Sequence, residues 1–263
     1  MSDIKGMIIH KLLQTETSHD VKIPLAVESG SRGWGFASPD SDYDCRFVYV
    51  HRRNWYLSVL NKPDIIEYAA GPVFDINGWD LRKMIQHIIK SNAVMYEWLS
   101  SNEIYIKDEY VSGLLQNLAA DFFSPAGVSY HYLSIAKKKL DEILAQEQAK
   151  LKHYFYILRP LANLNYIYQY GRMPFMEYER TLAETETAED ILSEINELKA
   201  LKAVSDESTA VRQNEQLITY FRREILLSSE RLSAMKAPRK GDYEQADSVF
   251  REITERVWEN ESR

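Results

Sequence analysis

The sequence has little of what disulfide-bonded, zinc-binding or membrane proteins need. Cys45 is its one cysteine, which excludes an internal disulfide and a zinc site built from several cysteines. No stretch approaches about 18 consecutive apolar residues, and the N-terminal residues lack a basic segment followed by a long apolar run. Neither a membrane span nor a secretory signal is predicted, so a cytoplasmic location is the default expectation.

Charge is unevenly distributed along the chain. The net charge of −7 argues against a protein that coats nucleic acid non-specifically, but a local groove can carry the opposite charge. The stretch Glu177–Lys199 holds eight acidic residues against two basic ones. Basic residues recur in the first third, at Arg32, Arg46, Arg52, Arg53, Arg82, Lys83 and Lys90. Any polyanion is therefore expected to bind on the N-terminal side.

The apolar pattern predicts strands early and helices later. Residues 23–27 and 45–50 are short apolar runs typical of strands, and 64–68 with 72–76 resemble a hairpin. Helical spacing predicts a helix over 4–13 and an amphipathic helix from Leu81, with Asn77 or Gly78 as its cap. Further helices are predicted near 93–100, 108–120, 129–150, 153–170, 187–202, 208–229 and 243–259.

This order of elements indicates an α+β fold with two domains. At 263 residues the chain exceeds one average domain. We expect a catalytic domain with a small mixed sheet at residues 1–125, followed by a mostly helical substrate-binding or accessory domain at residues 126–263. The oligomeric state does not follow from the sequence.

Two acidic residues stand at the entry of the second predicted strand. Ten residues separate Gly30-Ser31, where the first strand ends, from Asp42-Tyr43-Asp44. Alternation along a strand sends the side chains of Asp42 and Asp44 to the same face. Such paired carboxylates suit Mg²⁺, which prefers oxygen ligands and keeps places for water and substrate phosphates. Taken alone, however, the stretch Pro39-Asp40-Ser41-Asp42 favours a simple acidic turn, because Asp, Ser and Pro are common turn residues.

The turn at Gly30 adds a place for phosphate. Glycine has no side chain, so backbone N–H groups there can approach phosphate oxygens, and the Ser31 hydroxyl can donate a further hydrogen bond. Phosphoryl-type transfer needs charge neutralisation and in-line positioning, which two carboxylate-bound metal ions supply. Phosphate and metal binding would then meet at one site.

These residues carry a resemblance to a known superfamily. The segment GSRGWGFASPDSDYDCRFVYV is similar to the Gly-Ser, then Asp-x-Asp signature of DNA polymerase beta nucleotidyltransferases. With FDINGWDLRKM, KSNAVMYEWL and KHYFYILRPLANLNYIY, it resembles the predicted nucleotidyltransferases associated with RNA repair, sometimes called RNA ligase-associated polymerases, over residues 20–175. The resemblance implies that Asp42 and Asp44 ligate two Mg²⁺ or Mn²⁺ ions and that Gly30 and Ser31 hold a nucleoside triphosphate.

The resemblance also implies that a third aspartate, on a neighbouring strand, completes one of the two metal sites. Asp75 is our choice, because it lies between Phe74 and Ile76 in the pattern of a carboxylate on a buried strand. Glu67 and Asp80 are its competitors, although a strand's polar face and a helix dipole would also explain them.

Three residues near the signature have more than one interpretation. Arg32 follows Gly30-Ser31 directly and is a candidate phosphate ligand, or else a solvated surface residue. Trp34 and Phe36 would stack on a base or cover a small core.

The leading functional hypothesis is an enzyme that transfers a nucleoside monophosphate from a nucleoside triphosphate to an acceptor hydroxyl and releases pyrophosphate. An RNA 3′ end is one expected acceptor. A protein side chain or a small molecule is a second possibility, because this catalytic domain type serves many specificities. A module that binds nucleotides without catalysis is the alternative of a different class.

Overall fold

The chain folds into two compact units, each assembled from separate stretches of sequence. The computed structural model describes residues 4–68, 74–235 and 241–259. The described residues of the first unit are 4–30, 42–68, 74–123 and 241–259. The second unit comprises residues 31–41 and 124–235.

Seven strands and twelve helices lie within the described residues. The strands are β1 (Val21–Ser29), β2 (Tyr43–His51), β3 (Ile65–Tyr68), β4 (Phe74–Asp80), β5 (Ile104–Lys107), β6 (Gln148–Lys150) and β7 (Ala210–Arg212). The helices are α1 (Ile4–His19), α2 (Gly30–Gly33), α3 (Arg53–Tyr56), α4 (Leu81–Ile89), α5 (Ala93–Ser100), α6 (Glu109–Phe122), α7 (Pro125–Leu144), α8 (Leu151–Tyr170), α9 (Tyr178–Ala183), α10 (Glu189–Ala203), α11 (Glu215–Ser233) and α12 (Tyr243–Arg256).

The first unit contains a mixed five-stranded sheet. Its strand order is β3-β4-β2-β1-β5. Strands β2 and β4 are parallel, whereas the other neighbouring pairs are antiparallel. The expected α+β class with a small mixed sheet is confirmed, and the predicted strands at 23–27 and 45–50 are present but longer.

Alternation along β2 separates the core from the polar face. Cys45 and Phe47 are fully buried and join Ile8 and Leu12 of α1 in one hydrophobic cluster. Asp44 immediately precedes Cys45 in β2, so its side chain points to the opposite face of the sheet. The core on one face thereby fixes which side chains of β2 are presented on the other.

The start of α4 differs from the prediction. Asn77 and Gly78 do not cap this helix, because both remain in β4, paired in register with β2. Asp80 is the N-cap residue, and its carboxylate accepts a hydrogen bond from the Arg82 backbone N–H at 2.8 Å. Apolar spacing located the helix but not the end of the preceding strand.

Three strands were not predicted, and the expectation that all strands lie early is wrong. β5 adds an edge to the sheet, and β6 pairs with β7 in the second unit. The predicted helices over 129–150 and 208–229 overlap β6 and β7, which are three residues long and pair across a long stretch of sequence. Of the predicted hairpin, residues 69–73 lie outside the described residues.

The chain passes from the first unit to the second between residues 123 and 124. Segment 31–41 and helix α12, however, lie on the other side of that division from their sequence neighbours. The assignment of residues 1–125 to catalysis and 126–263 to substrate binding stays a prediction. None of the described helices combines the length and the apolar character that a membrane span requires.

Candidate active site

The turn after β1 brings the backbone against a carboxylate. Gly30 has a φ of +67°, a conformation that L-residues with side chains rarely adopt. A Cβ atom at Gly30 would lie 2.0 Å from Asp44 Oδ2, so no larger residue fits without moving that carboxylate. Glycine is required here both for the turn and for the close approach to Asp44.

Strand register places Asp75 beside Asp44. The two residues are partners in the parallel β2–β4 pair, and Ser29 is the partner of Asp44 on β1. Glu67, by contrast, is paired with Asn77 on the edge strand β3. The sheet therefore joins the end of β1 and the starts of β2 and β4 at one place.

Asp80, the other competitor, lies at the far end of β4. Its buried carboxylate accepts a hydrogen bond from the Tyr56 hydroxyl at 2.8 Å in addition to the cap bond from Arg82. Burial raises the pKa of Asp80 to about 6, although both hydrogen bonds oppose the shift. Asp80 is thus accounted for by its contacts with α3 and α4.

Arg46 links the two paired aspartates. Its Nη2 atom lies 2.9 Å from Asp44 Oδ1 and 2.7 Å from Asp75 Oδ2. Its Nη1 atom donates to the backbone carbonyls of Asp75 at 3.0 Å and Cys45 at 3.2 Å. One guanidinium group therefore neutralises charge on both carboxylates, a role that the sequence analysis did not assign to it.

Asp44 carries a strongly shifted pKa. Burial, the largest cause, and the negative charges of Asp42 and Asp75 together raise the pKa of this carboxyl to about 6, while Arg46 opposes the shift. Asp42 is exposed and stands immediately before β2. The three predicted carboxylates therefore form one electrostatically coupled group.

Glu28 is a site-neighbouring residue that sequence reasoning missed. This β1 residue is only 3% exposed. Its Oε1 atom accepts a hydrogen bond from the Asp44 backbone N–H at 2.9 Å, and Oε2 accepts one from the Tyr105 hydroxyl. Glu28 thereby fixes the backbone that carries Asp44. An acidic residue inside an otherwise apolar strand, just before Gly30, was the available signal.

The two remaining predicted residues, Ser31 and Arg32, belong to the second unit. Arg32 Nη2 donates to the backbone carbonyl of Ser41 at 2.6 Å, so it spans the two ends of segment 31–41. The Ser31 carbonyl accepts from the Phe36 N–H at 3.0 Å. Their predicted phosphate contacts stay predictions.

Helices of the second unit anchor segment 31–41 through aromatic packing. Phe36 stacks on Phe155 with ring centroids 5.0 Å apart, and Trp34 meets the Tyr156 ring edge-on at 5.7 Å. The Tyr178 backbone N–H donates to the Trp34 carbonyl at 3.0 Å. These contacts favour the core interpretation of Trp34 and Phe36 over base stacking.

Polar contacts hold the end of the same segment. The buried Lys202 ammonium donates to Ser38 Oγ at 2.9 Å and lies 3.3 Å from Glu207 Oε1. Glu207 also accepts from Ser41 Oγ at 2.5 Å, and its backbone N–H donates to Asp40. The segment between the Gly-Ser and Asp-x-Asp motifs is thus firmly attached to the helical unit.

The chemistry of the donor set fits a divalent cation. Asp42, Asp44 and Asp75 offer carboxylate oxygens, the ligands that Mg²⁺ and Mn²⁺ prefer, and their mutual repulsion is of the kind that a cation relieves. In residues 4–68, 74–235 and 241–259, no three His, Cys, Asp or Glu side chains are already arranged around a common ion position. Arg46 instead supplies the positive charge between Asp44 and Asp75.

Comparisons with known proteins cover both units. A model of the RNA repair pathway DNA polymerase beta family, RlaP, matches residues 4–252. The chain is 34% identical over 257 residues to the uncharacterized protein YcgL of Bacillus subtilis (strain 168). This alignment covers 98% of this chain and 99% of that protein. A nucleotidyltransferase-like protein from Exiguobacterium sibiricum 255-15 is similar in structure with a TM-score of 0.32 and 9% identity, covering 88% of this chain and 75% of that one.

Proposed function

The chain belongs to the RNA repair pathway DNA polymerase beta family, and from this premise we propose that it is a metal-dependent nucleotidyltransferase. It transfers a nucleoside monophosphate from a nucleoside triphosphate to an acceptor hydroxyl. The observation that supports this most is the in-register pairing of Asp44 with Asp75 next to the turn at Gly30. Phosphoryl-type transfer depends on such convergent charge and on positioning.

In this proposal Asp42, Asp44 and Asp75 hold two Mg²⁺ or Mn²⁺ ions. When bound, the ions neutralise the triphosphate and stabilise the charge that develops during transfer. Glu28 keeps the Asp44 backbone in place through its hydrogen bond, so that the carboxylate is presented from a fixed strand. Burial of Glu28 restricts the motion of that support.

The donor nucleotide is held by the turn. The Gly30 backbone and the Ser31 hydroxyl contact the triphosphate, since backbone N–H groups in such a turn can bind phosphate oxygens. Arg32 carries five N–H donors, so its bond to the Ser41 carbonyl is compatible with a further contact to phosphate.

The reaction forms one bond and breaks one. The acceptor hydroxyl oxygen bonds to the α-phosphorus, the bond from that phosphorus to the α–β bridging oxygen breaks, and pyrophosphate leaves. The hydroxyl proton passes to a carboxylate of the group or to solvent. The family's place in RNA repair supports an RNA 3′-hydroxyl as the acceptor.

Transfer of an α-³²P label tests the proposal. Each labelled nucleoside triphosphate is incubated with Mg²⁺ or Mn²⁺ and an RNA with a free 3′-hydroxyl. The wild type should label the RNA, whereas Asp42→Asn, Asp44→Asn and Asp75→Asn should each lower the rate by about 100-fold or more, as loss of electrostatic stabilisation does in other enzymes. RNA with a blocked 3′ end should stay unlabelled.

Asp64→Asn is the matched control. Asp64 is an exposed carboxylate of the same unit, paired with Lys83 at 3.1 Å, and its replacement should leave the rate unchanged. If label appears on an added protein or small molecule and not on RNA, that molecule is the acceptor in place of RNA. Undiminished transfer by Asp42→Asn and Asp44→Asn would refute the carboxylate assignment, and metal-dependent nucleotide binding without any transfer would favour a binding module.

A further inference from the structure

The guanidinium group of Arg46 lies between two carboxylates of the candidate site. Two residues after Asp44 on β2, its side chain projects from the same face of the sheet. The guanidinium group contacts two carboxylates and two backbone carbonyls, all within 3.2 Å. A planar group with four such acceptors is held in one orientation.

The ion pairs are shielded from water. The Arg46 side chain is 20% exposed, and those of Asp44 and Asp75 are 21% and 31% exposed. Partly buried pairs of this kind are less weakened by solvent and salt than pairs on an open surface. The guanidinium group is therefore a strong competitor for the carboxylate oxygens that it contacts.

The same oxygens are the ones that a divalent ion requires. A divalent ion held by Asp44 and Asp75 would draw on carboxylate oxygens that Arg46 Nη2 now contacts, Asp44 Oδ1 at 2.9 Å and Asp75 Oδ2 at 2.7 Å, and would stand close to that nitrogen. Two like-charged groups cannot share that place. Binding of an ion through these oxygens would thus require the guanidinium group to withdraw from them.

We propose that Arg46 is an internal counter-cation that competes with the divalent metal ion for Asp44 and Asp75. This inference rests on the proposed function, in which these carboxylates are metal ligands. Without metal, Arg46 holds the two carboxylates together and prevents their repulsion from separating the strands. The apparent metal affinity is reduced to the fraction of molecules in which the guanidinium group is displaced.

A released guanidinium group would remain beside the site. Gly30 is in contact with Asp44. A guanidinium group displaced from Asp44 would therefore lie close to the turn that is proposed to hold the triphosphate. Arginine pairs well with phosphate through two parallel hydrogen bonds. A nucleotide would thereby favour the displaced state of Arg46 and promote metal binding.

A purely supporting role for Arg46 makes the opposite prediction. If the guanidinium group only orients the ligands, its removal lets Asp44 and Asp75 move apart, and metal affinity falls. If it competes, its removal raises metal affinity. The sign of the change in Mn²⁺ affinity decides between the two roles.

The test measures the affinity of the full chain for Mn²⁺ in the absence of nucleotide. Electron paramagnetic resonance detects the free ion. Arg46→Met should bind Mn²⁺ about tenfold more tightly than the wild type, as expected if Arg46 is in place about nine-tenths of the time. Arg46→Lys keeps the charge but lacks the planar fork, so its affinity should lie between the two. Unchanged or weaker binding by Arg46→Met would overturn the proposal.

Two further variants control this experiment. Arg52→Met removes another ion-paired arginine of the first unit, whose partner is Asp20 at 3.1 Å, and should leave Mn²⁺ affinity unchanged. Asp44→Asn should abolish the tight binding of Arg46→Met when both changes are combined. Thermal unfolding followed by circular dichroism establishes that each variant is folded, and if Arg46→Met is not, Arg46→Gln takes its place.

Failure of this inference is distinguishable from failure of the proposed function. If the wild type transfers nucleotide but Arg46→Met binds Mn²⁺ no more tightly, the competition is refuted and the enzyme assignment stands. If Arg46→Met binds Mn²⁺ more tightly through Asp44 but no acceptor is labelled, the competition stands and the assignment fails. Absence of Mn²⁺ binding in every variant overturns the competition.

Discussion

At the scale of single residues, the candidate site is governed by unfavourable charge. Asp44 is partly buried and lies near two other carboxylates, and Arg46 offsets only part of the free-energy cost of its negative charge. Its pKa is consequently raised from an ordinary value of 3.8 to about 6. Active sites often carry such costs, because the groups that stabilise a bound ion or substrate repel one another in its absence.

The raised pKa of Asp44 predicts a pH-dependent loss of stability in the metal-free protein. Because the folded state holds this proton more tightly than the unfolded state, the stabilising contribution is complete below about pH 4 and disappears as pH rises through 6. Asp44→Asn cannot lose a proton. Relative to this variant, the wild type should lose up to about 3 kcal/mol of unfolding free energy between pH 4 and pH 7.

Urea unfolding of both proteins at pH 4, 5, 6 and 7, with a chelator present, measures that difference. Asp64→Asn, at an exposed position, serves as the control and should follow the wild-type pH profile. Parallel profiles for the wild type and Asp44→Asn would contradict the raised pKa. Added Mn²⁺ should reduce the wild-type loss, since an ion stabilises the charged carboxylate.

Local spacing was sufficient to select some candidate residues but not others. Gly30, Asp42 and Asp44 lie within one short stretch, where strand alternation predicts which side chains share a face. Glu28 and Arg46 were missed because their roles depend on contacts between strands. The contact of Arg46 with Asp75 requires the β2–β4 register, which no local pattern specifies.

At the scale of elements, the register of β4 against β2 depends on Gly78. A Cβ atom at Gly78 would lie 2.1 Å from the Phe47 ring, which is fully buried. The missing side chain is what lets the aromatic ring of β2 lie over its partner strand. The same register places Asp75 beside Asp44, three residues earlier on β4.

Gly78→Ala should therefore destabilise the protein, by about 1–3 kcal/mol, because the buried Phe47 ring must move. The matched control is Gly113→Ala in α6, where an added Cβ meets no atom within 4 Å. That change should stabilise the protein by about 0.5–1 kcal/mol, because alanine favours helix over glycine. Chemical denaturation measures both; equal effects would show that packing at Phe47 does not restrict β4.

The elements that the sequence predicted well are those stabilised by their own periodicity. Helix α4 was located from apolar spacing over two turns, which the structure buries at Leu81, Met84, Ile85 and Ile88. The strands β6 and β7 have three residues each and no alternating pattern of useful length. Their stability comes from pairing with a distant segment, which short-range patterns do not show.

At the scale of the whole molecule, sequence order and spatial order differ. The sequence gives a simple succession of a strand-rich part and a helical part, and the fold class follows from it. It does not show that α12 returns to the first unit, where it packs on α4 and α6. An amphipathic helix can cover any apolar surface, so its pattern does not identify its partner.

The return of α12 predicts that the stability of the first unit depends on residues near the C-terminus. Ile253 is completely buried, and the nearby Trp258 indole donates to the His51 carbonyl at 3.1 Å, at the end of β2. Ile253→Ala should cost about 2–5 kcal/mol, as cavities in cores do. Ser248→Ala on the exposed side of α12 should change stability by less than about 0.5 kcal/mol.

Hydrogen exchange measured by mass spectrometry shows which elements are destabilised by Ile253→Ala. If α12 is part of the first unit's core, Ile253→Ala should accelerate exchange in β2, α4 and α6 while leaving α8 and α11 of the second unit protected. Faster exchange confined to α12 itself would mean that the first unit is stable without it. Faster exchange in both units alike would mean that the two units unfold together. The packing of α12 would then stabilise the whole protein and not the first unit in particular.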